Sequence, residues 1–265
     1  MRFELHCHTE SSHDGFTSLD GLIAECREKG IDAVAVTEHD VFCLTEKDLE
    51  KARGQGVFLI PSMEVTTDKG VHVIGFFINR RIEQGPIEGI LASIRDQGGL
   101  ISIPHPFKPG SGLLGNPLSS AEEITAALQE ADFIEAWNGG FDLSPFQEEI
   151  RDLAQVHGLR CIAASDAHRQ WEVGMLVTEM DLDSPVNPAA LRLAMSKAPT
   201  SLLKARGYIS KVKRQTFFQR FRHTDWYQAL IAKVPYSLKR SIRIWKYGRK
   251  LARYYSVPVQ YEAIP

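Results

Sequence analysis

Leu5 to Gly15, LHCHTESSHDG, packs three histidines and two acidic residues into eleven positions near the start of the chain. His6 and His8 sit two apart in the apolar run RFELHCH. On an extended backbone their imidazoles therefore leave from one face, where they can chelate one cation, and Cys7 leaves from the other. Asp14 follows in a His-Asp-Gly turn, where Gly15 permits a tight reversal. The same residue types recur far along the chain. His39 lies in Thr-Glu-His-Asp, Glu64 in Ser-Met-Glu-Val, His72 at the head of VHVIGFF and His105 between two stiffening prolines, while Asp166-x-His168 repeats the spaced pair. Six histidines and three carboxylates without a thiolate pattern suit Zn²⁺, Mn²⁺ or Fe²⁺ rather than a structural thiolate zinc. One ion takes about four to six ligands, so nine ligands indicate two or three ions, with a carboxylate as bridge. Clustered divalent ions lower the pKa of a bound water, so that hydroxide exists at neutral pH, and they neutralise phosphoryl oxygens. The chemistry indicated is hydrolysis of a phosphoester by a metal-bound hydroxide.

The elements that must position these residues follow from the apolar pattern. Strands are expected at 2–8, 32–39, 57–65, 71–77, 100–106, 132–138, 160–168 and 174–181, mostly as Val/Ile/Leu/Phe runs suited to parallel strands covered on both faces. Helices fit between them: one capped by Thr17-Ser18 and stopped at Gly30, the others near 45–53, 86–98, 119–130, 144–157 and 188–197. The stretch 57–77, with a short turn at Asp68-Lys69-Gly70, reads as a hairpin. The alternation argues for an α/β fold, as a barrel or an open sheet. The candidate ligands lie at strand ends, and in parallel α/β proteins sites form at the carboxyl edge of the strands.

His6-x-His8-Thr9, Asp14-Gly15, Thr37-Glu38-His39-Asp40, Glu64, His72, Pro104-His105-Pro106 and Ser165-Asp166-Ala167-His168 together resemble the ordered motifs of the PHP (polymerase and histidinol phosphatase) superfamily, over residues 1 to about 200. The resemblance implies a distorted (β/α)7 barrel with a two- or three-metal site at the C-terminal rim of its strands. It implies that His6, His8, Glu64 and Asp166 hold a first ion, that Glu64 bridges to a second held by His72 and His105, and that Asp14, His39 and His168 hold a third. The implied activity is that of a metal-dependent phosphoesterase acting on a phosphomonoester, a nucleotide or an oligonucleotide end. Histidinol-phosphate phosphatase and short-oligonucleotide nuclease are alternatives within that chemistry, and a non-catalytic metal-binding regulatory module is the alternative outside it.

Beyond the ligands, Arg169 beside His168 can fork onto a phosphate or pair with an acid. Lys108 opens a Gly/Pro-rich stretch, 108–117, that resembles a mobile lid and would bring its ammonium to the substrate phosphate. His13 either orients substrate or does nothing. Glu135 and Asn138, at the end of DFIEAWN, either support the ligands or are plain structure.

Composition divides the chain. The net charge of −2 conceals 16 Lys+Arg against 31 Asp+Glu in residues 1–200, and 15 against 2 in residues 201–265. The expected organisation is a catalytic barrel, 1–200, and a basic, aromatic-rich, mostly helical extension, 201–265. Three roles stay open for the extension: an anionic membrane surface, nucleic acid, or the acidic body or another subunit. There is no apolar run long enough to span a bilayer, the N-terminus turns polar too early for a secretory leader, and the four cysteines show no C-x-x-C spacing. The expected location is the cytoplasm, with the basic segment able to place the chain at a membrane periphery.

Overall fold

The apolar runs become strands and the segments between them helices, in the order β1 (Arg2–Cys7), α1 (Leu19–Glu28), β2 (Ala33–Val36), α2 (Glu46–Arg53), β3 (Phe58–Thr66), β4 (His72–Phe76), α3 (Ile87–Asp96), β5 (Leu100–Ile103), α4 (Ala121–Glu130), β6 (Phe133–Asn138), α5 (Gln147–His157), β7 (Arg160–Ala164), β8 (Leu176–Met180), α6 (Pro188–Met195), β9 (Thr200–Ala205) and β10 (Tyr261–Ala263). The computed structural model describes residues 1–182, 187–206 and 259–264. They belong to one unit, Met1–Tyr208 with Val259–Pro265; a second unit, Ile209–Pro258, lies outside the described residues.

Local chemistry sets the helix ends. Ser18 caps α1 by accepting from Gly21 N, Thr45 and Ser120 form capping boxes with Asp48 and Glu123, and Asn187 caps α6 ahead of Pro188. α5 stops at Gly158, whose φ is 69°.

The strands form one curled sheet in the order β10-β9-β8-β1-β2-β3-β4-β5-β6-β7. Pairing is parallel for β1–β2–β3 and β5–β6–β7. β4 is antiparallel to both neighbours, and β8, β9 and β10 add antiparallel beside β1. The sheet is therefore mixed rather than a uniform run of β/α repeats. The stretch 67–71 is too short for the crossover of about a dozen residues that parallel pairing needs, so β3 and β4 form the expected hairpin. The curl brings the two ends of the parallel run together: His8 N donates to Ala167 O at 2.7 Å. Below that point side-chain hydroxyls join β7 to β8. Ala163 N donates to Thr178 Oγ1 (2.9 Å) and that hydroxyl donates back to Ala163 O (3.0 Å).

Period-two alternation sorts the core. Ala33 and Ala35 join a cluster with Phe3, Leu5, Ile60, Phe76, Phe133 and Ile162 inside the curl, closed from below by Leu191 and Met195 of α6. Val34 and Val36 face the helix side with Leu22, Ile23 and Cys26 of α1. Of the expected basic helical extension, residues 207–258 lie outside the described residues. Its described ends are strands of the sheet, β9 and β10. All four cysteines are free thiols. Among the described residues no helix is long and apolar enough to cross a membrane.

Candidate metal centre

The apolar interior gives way at the carboxyl ends of the strands to a cluster built around Glu64 of β3. Its Oε1 lies 2.8 Å from His72 Nδ1 and 3.2 Å from His105 Nε2. Its Oε2 lies 3.0 Å from His39 Nδ1, 3.4 Å from His6 Nε2 and 3.5 Å from His8 Nε2. Asp166 Oδ1 lies 3.6 Å from His6 Nε2 and 3.5 Å from both His8 Nε2 and His168 Nδ1. Asp14 Oδ2 reaches His168 Nε2 at 3.0 Å and His39 Nε2 at 3.7 Å. The structure thus brings all nine sequence-predicted ligands into one cluster.

Four groups of ligand atoms lie within 4.8 Å of one another: His6–His8–Asp166, His6–Glu64–His105, His39–Glu64–His72 and His8–His39–His168. These groups do not coincide with the three sets the resemblance implied: His8, rather than Asp14, falls with His39 and His168. His72 sits with His39, and His105 with His6, rather than the two forming a set with Glu64 alone.

Two observations test the fit of this donor set to cations. Glu64 Oε2 has three imidazole nitrogens within 3.5 Å but accepts no aligned hydrogen bond, and buried His105 Nδ1 and Asp14 Oδ1 also lack hydrogen-bond partners. Buried polar atoms left so are costly, and a carboxylate oxygen that faces three imidazoles without an aligned hydrogen bond suits an ion between them. The electrostatics agree. Burial opposes ionisation of Glu64 and Asp166, yet the surrounding histidines, His72 and His6 foremost, hold both carboxyls well below the usual range. Burial likewise pulls on His6 and His39, but Glu64, Asp166 and Glu135 keep His6 well above its ordinary value, and Asp14 and Glu64 push His39 up to about 10. Protons on imidazoles supply the positive charge the carboxylates require. His8 and His105 are shifted the other way, His8 to about 3, because burial dominates and keeps their lone pairs free.

Local structure presents these residues. A Cβ on Gly15 would sit 1.7 Å from Thr9 O, so only glycine closes the turn that offers Asp14. His105 and Asp166 adopt left-handed backbone, with φ of 28° and 47°, a strain that concentrates at functional sites. Ser12, a residue that no spacing in the sequence marks, accepts from His39 N at 2.9 Å and lies 3.4 Å from His8 Nδ1. Buried Glu38 accepts from Thr9 N at 3.0 Å.

A cavity of about 320 Å³ opens over the cluster, with His13, Asp40, Thr66 and Lys108 completing its wall. Lys108 Nζ lies 3.8 Å from Asp166 Oδ2. Arg169 is not on this wall; it donates to buried Glu172 at 2.8 Å, and the other Glu172 oxygen accepts from His168 N at 3.0 Å. The 108–117 stretch, expected as a mobile lid, is packed against the body in this structure. Leu113 is fully buried, Asn116 Nδ2 bonds Lys69 O (2.8 Å) and Gly110 O (2.7 Å), and Ser111 O accepts from His72 N at 2.9 Å. Gly112 and Gly115 serve close backbone approach, Gly110 a positive φ, and the stretch helps hold the backbone of His72.

A curled α/β sheet carrying clustered imidazoles and carboxylates above its carboxyl edge is the class that fold and site define. Residues 4–135 match the PHP domain family and residues 146–197 the PHP-associated family. An uncharacterized protein of Methanocaldococcus jannaschii is 33% identical over 129 residues, 44% of this chain and 74% of that protein. A second from the same organism is 25% identical over 251 residues, 92% of this chain and 100% of that protein. The chain belongs to the PHP family. A solved two-domain protein from Bacteroides vulgatus, containing a predicted PHP-like metal-dependent phosphoesterase, has the same fold, with a TM-score of 0.61 at 20% identity. The match covers 76% of this chain and 64% of that one, a little under two thirds of the neighbour's length.

Proposed function

We propose that this chain is a metal-dependent phosphoesterase, with its reaction centre at the rim of a distorted (β/α)7-type barrel. The observation that carries the reading is the convergence of five imidazoles on the two oxygens of one buried carboxylate, Glu64, beneath an open cavity. His6, His8, Glu64, His105 and Asp166 would hold the deeper ion or ions, and His39, His72, Asp14 and His168 the outer one. Mn²⁺, Zn²⁺ and Fe²⁺ all suit these donors. When bound, such ions activate water and neutralise phosphoryl oxygens.

The remaining work falls to the chain itself. Glu64 ties the two halves together, since each of its oxygens faces imidazoles of both: Oε1 those of His105 and His72, Oε2 those of His6, His8 and His39. Lys108 contacts a non-bridging phosphoryl oxygen, its ammonium already drawn to the cluster by Asp166. The pinned 108–117 stretch sets where that ammonium stands. The substrate is a phosphoester small enough, or with an end slender enough, to enter the cavity.

The test is turnover of an aryl phosphate by the purified chain with added Mn²⁺, followed by a panel of phosphomonoesters, sugar phosphates and dinucleotides. The reading expects hydrolysis that EDTA removes and that His8→Ala and Asp166→Ala abolish. Tight Mn²⁺ binding without turnover of any phosphoester would favour the regulatory-module alternative.

A further inference from the structure

β6 contributes no ligand to the centre, yet its carboxyl end touches three segments that do. Glu135 is fully buried. Its Oε1 accepts from His6 Nδ1 at 2.7 Å, and its Oε2 accepts from the backbone N of His105 at 2.7 Å. Asn138 Nδ2 donates to the same Oε2 at 2.7 Å, while Asn138 Oδ1 accepts from Gly140 N (2.7 Å) and Phe141 N (2.8 Å). The turn so formed lies hard against the end of β7: a Cβ on Gly140 would come within 2.2 Å of Asp166 Oδ2. One carboxylate–amide unit therefore meets the ring of His6, the backbone of left-handed His105 and, through the turn, the side chain of left-handed Asp166.

The outer ligands are held differently. His39 N bonds Ser12 Oγ at 2.9 Å, His168 N bonds Glu172 Oε2 at 3.0 Å, and His72 N bonds Ser111 O at 2.9 Å. None of these supports involves Glu135 or Asn138. Two of the four ligand groups, His6–Glu64–His105 and His6–His8–Asp166, contain a residue that Glu135 contacts; the other two contain none.

We propose that Glu135, braced by Asn138, is a positioning residue for the inner half of the centre alone. It fixes His6 with the proton on Nδ1, so that the Nε2 lone pair faces Glu64 and Asp166, and it holds the strained turn that aims His105. This inference rests on the metal-centre reading above. Glu135→Gln keeps the shape but cannot serve both donors: the amide has one acceptor oxygen, so either His6 Nδ1–H or His105 N–H faces an NH₂ group.

The experiment is Mn²⁺ titration of the full chain, reading free ion by electron paramagnetic resonance, which needs no turnover. Wild type, Glu135→Gln and Asp14→Asn are compared, with the melting temperature of each ion-free protein as the folding control. Two classes of site are expected in the wild type. Glu135→Gln should weaken one class about 10–100-fold and leave the other unchanged, and Asp14→Asn should weaken the complementary class. Should Glu135→Gln fail to fold, Asn138→Ala reads the same class with a smaller loss. If Glu135→Gln weakens every class equally, or none, while folded, the proposal is overturned and the metal-centre reading stands. If the wild type binds no Mn²⁺, Zn²⁺ or Fe²⁺, both fall.

Discussion

The inner and outer halves of the cluster use the same side-chain types under opposite conditions. His6, His105 and Asp166 expose 0%, 1% and 3% of their side chains; His39, His72, His168 and Asp14 expose 14%, 15%, 22% and 33%. A buried donor must be satisfied within the protein, so the inner half is wired to buried Glu135 and carries the left-handed backbones. An exposed donor can be satisfied by water and can therefore give that partner up to a substrate. Glu64 and His8 each take part in groups that reach into both halves.

The largest effect should come from breaking what the halves share. Glu64→Gln removes the charge that five imidazoles face, and activity at fixed Mn²⁺ should fall by about 10³-fold or more, equivalent to about 4 kcal/mol. Titration should then show both classes of site weakened; survival of either at wild-type affinity would separate the halves altogether. Asp14→Asn acts on the outer half only. A loss of about 10²-fold, or about 2.7 kcal/mol, is expected in kcat/KM, with the inner ion still bound on dialysis.

Acidity sharpens the contrast without mutation. His39 in the ion-free protein titrates near 10, above its unfolded value of about 6.5, so the folded state binds more protons and stability falls as pH rises from about 6.5 to 10. His8 titrates near 3, below its unfolded value, so stability falls as pH drops from about 6.5 toward 3. From these two groups the ion-free melting temperature should peak near pH 6.5. Loading the outer site at pH 7 should release protons, measurable by calorimetry in buffers of different protonation enthalpy. A melting temperature that climbs steadily to pH 9 would contradict the assignment for His39. The smallest effect is expected at Lys108, which holds no ion: Lys108→Met should raise KM about 10-fold, the scale of one charge-assisted hydrogen bond, with kcat changed less.

Much of this molecule is legible in its amino-acid order. The strands and helices of residues 1–200 follow from apolar runs and local signals such as the Ser18 cap, which act within a few residues. The candidate ligands are legible because His-x-His and Asp-x-His pairs recur at strand ends. Less legible are the companions of each ligand. Arg169 reads equally toward phosphate or toward an acid, and only the fold brings buried Glu172 to it. The 108–117 stretch has the composition of a lid, yet Leu113 anchors it in the core. Glu135 admits two readings from sequence because its partners, His6 and the backbone of His105, lie 129 and 30 residues away.

The sequence by itself determined the element order within residues 1–200, the kinds of donor and their place at strand ends, because alternation, capping and residue chemistry are local. Only the tertiary structure decided which donors lie close enough to share an ion, which of them are sealed from solvent and which carboxylates contact them. Those are contacts between segments far apart in the chain, and they exist only after the sheet has curled to bring the end of β7 back to β1.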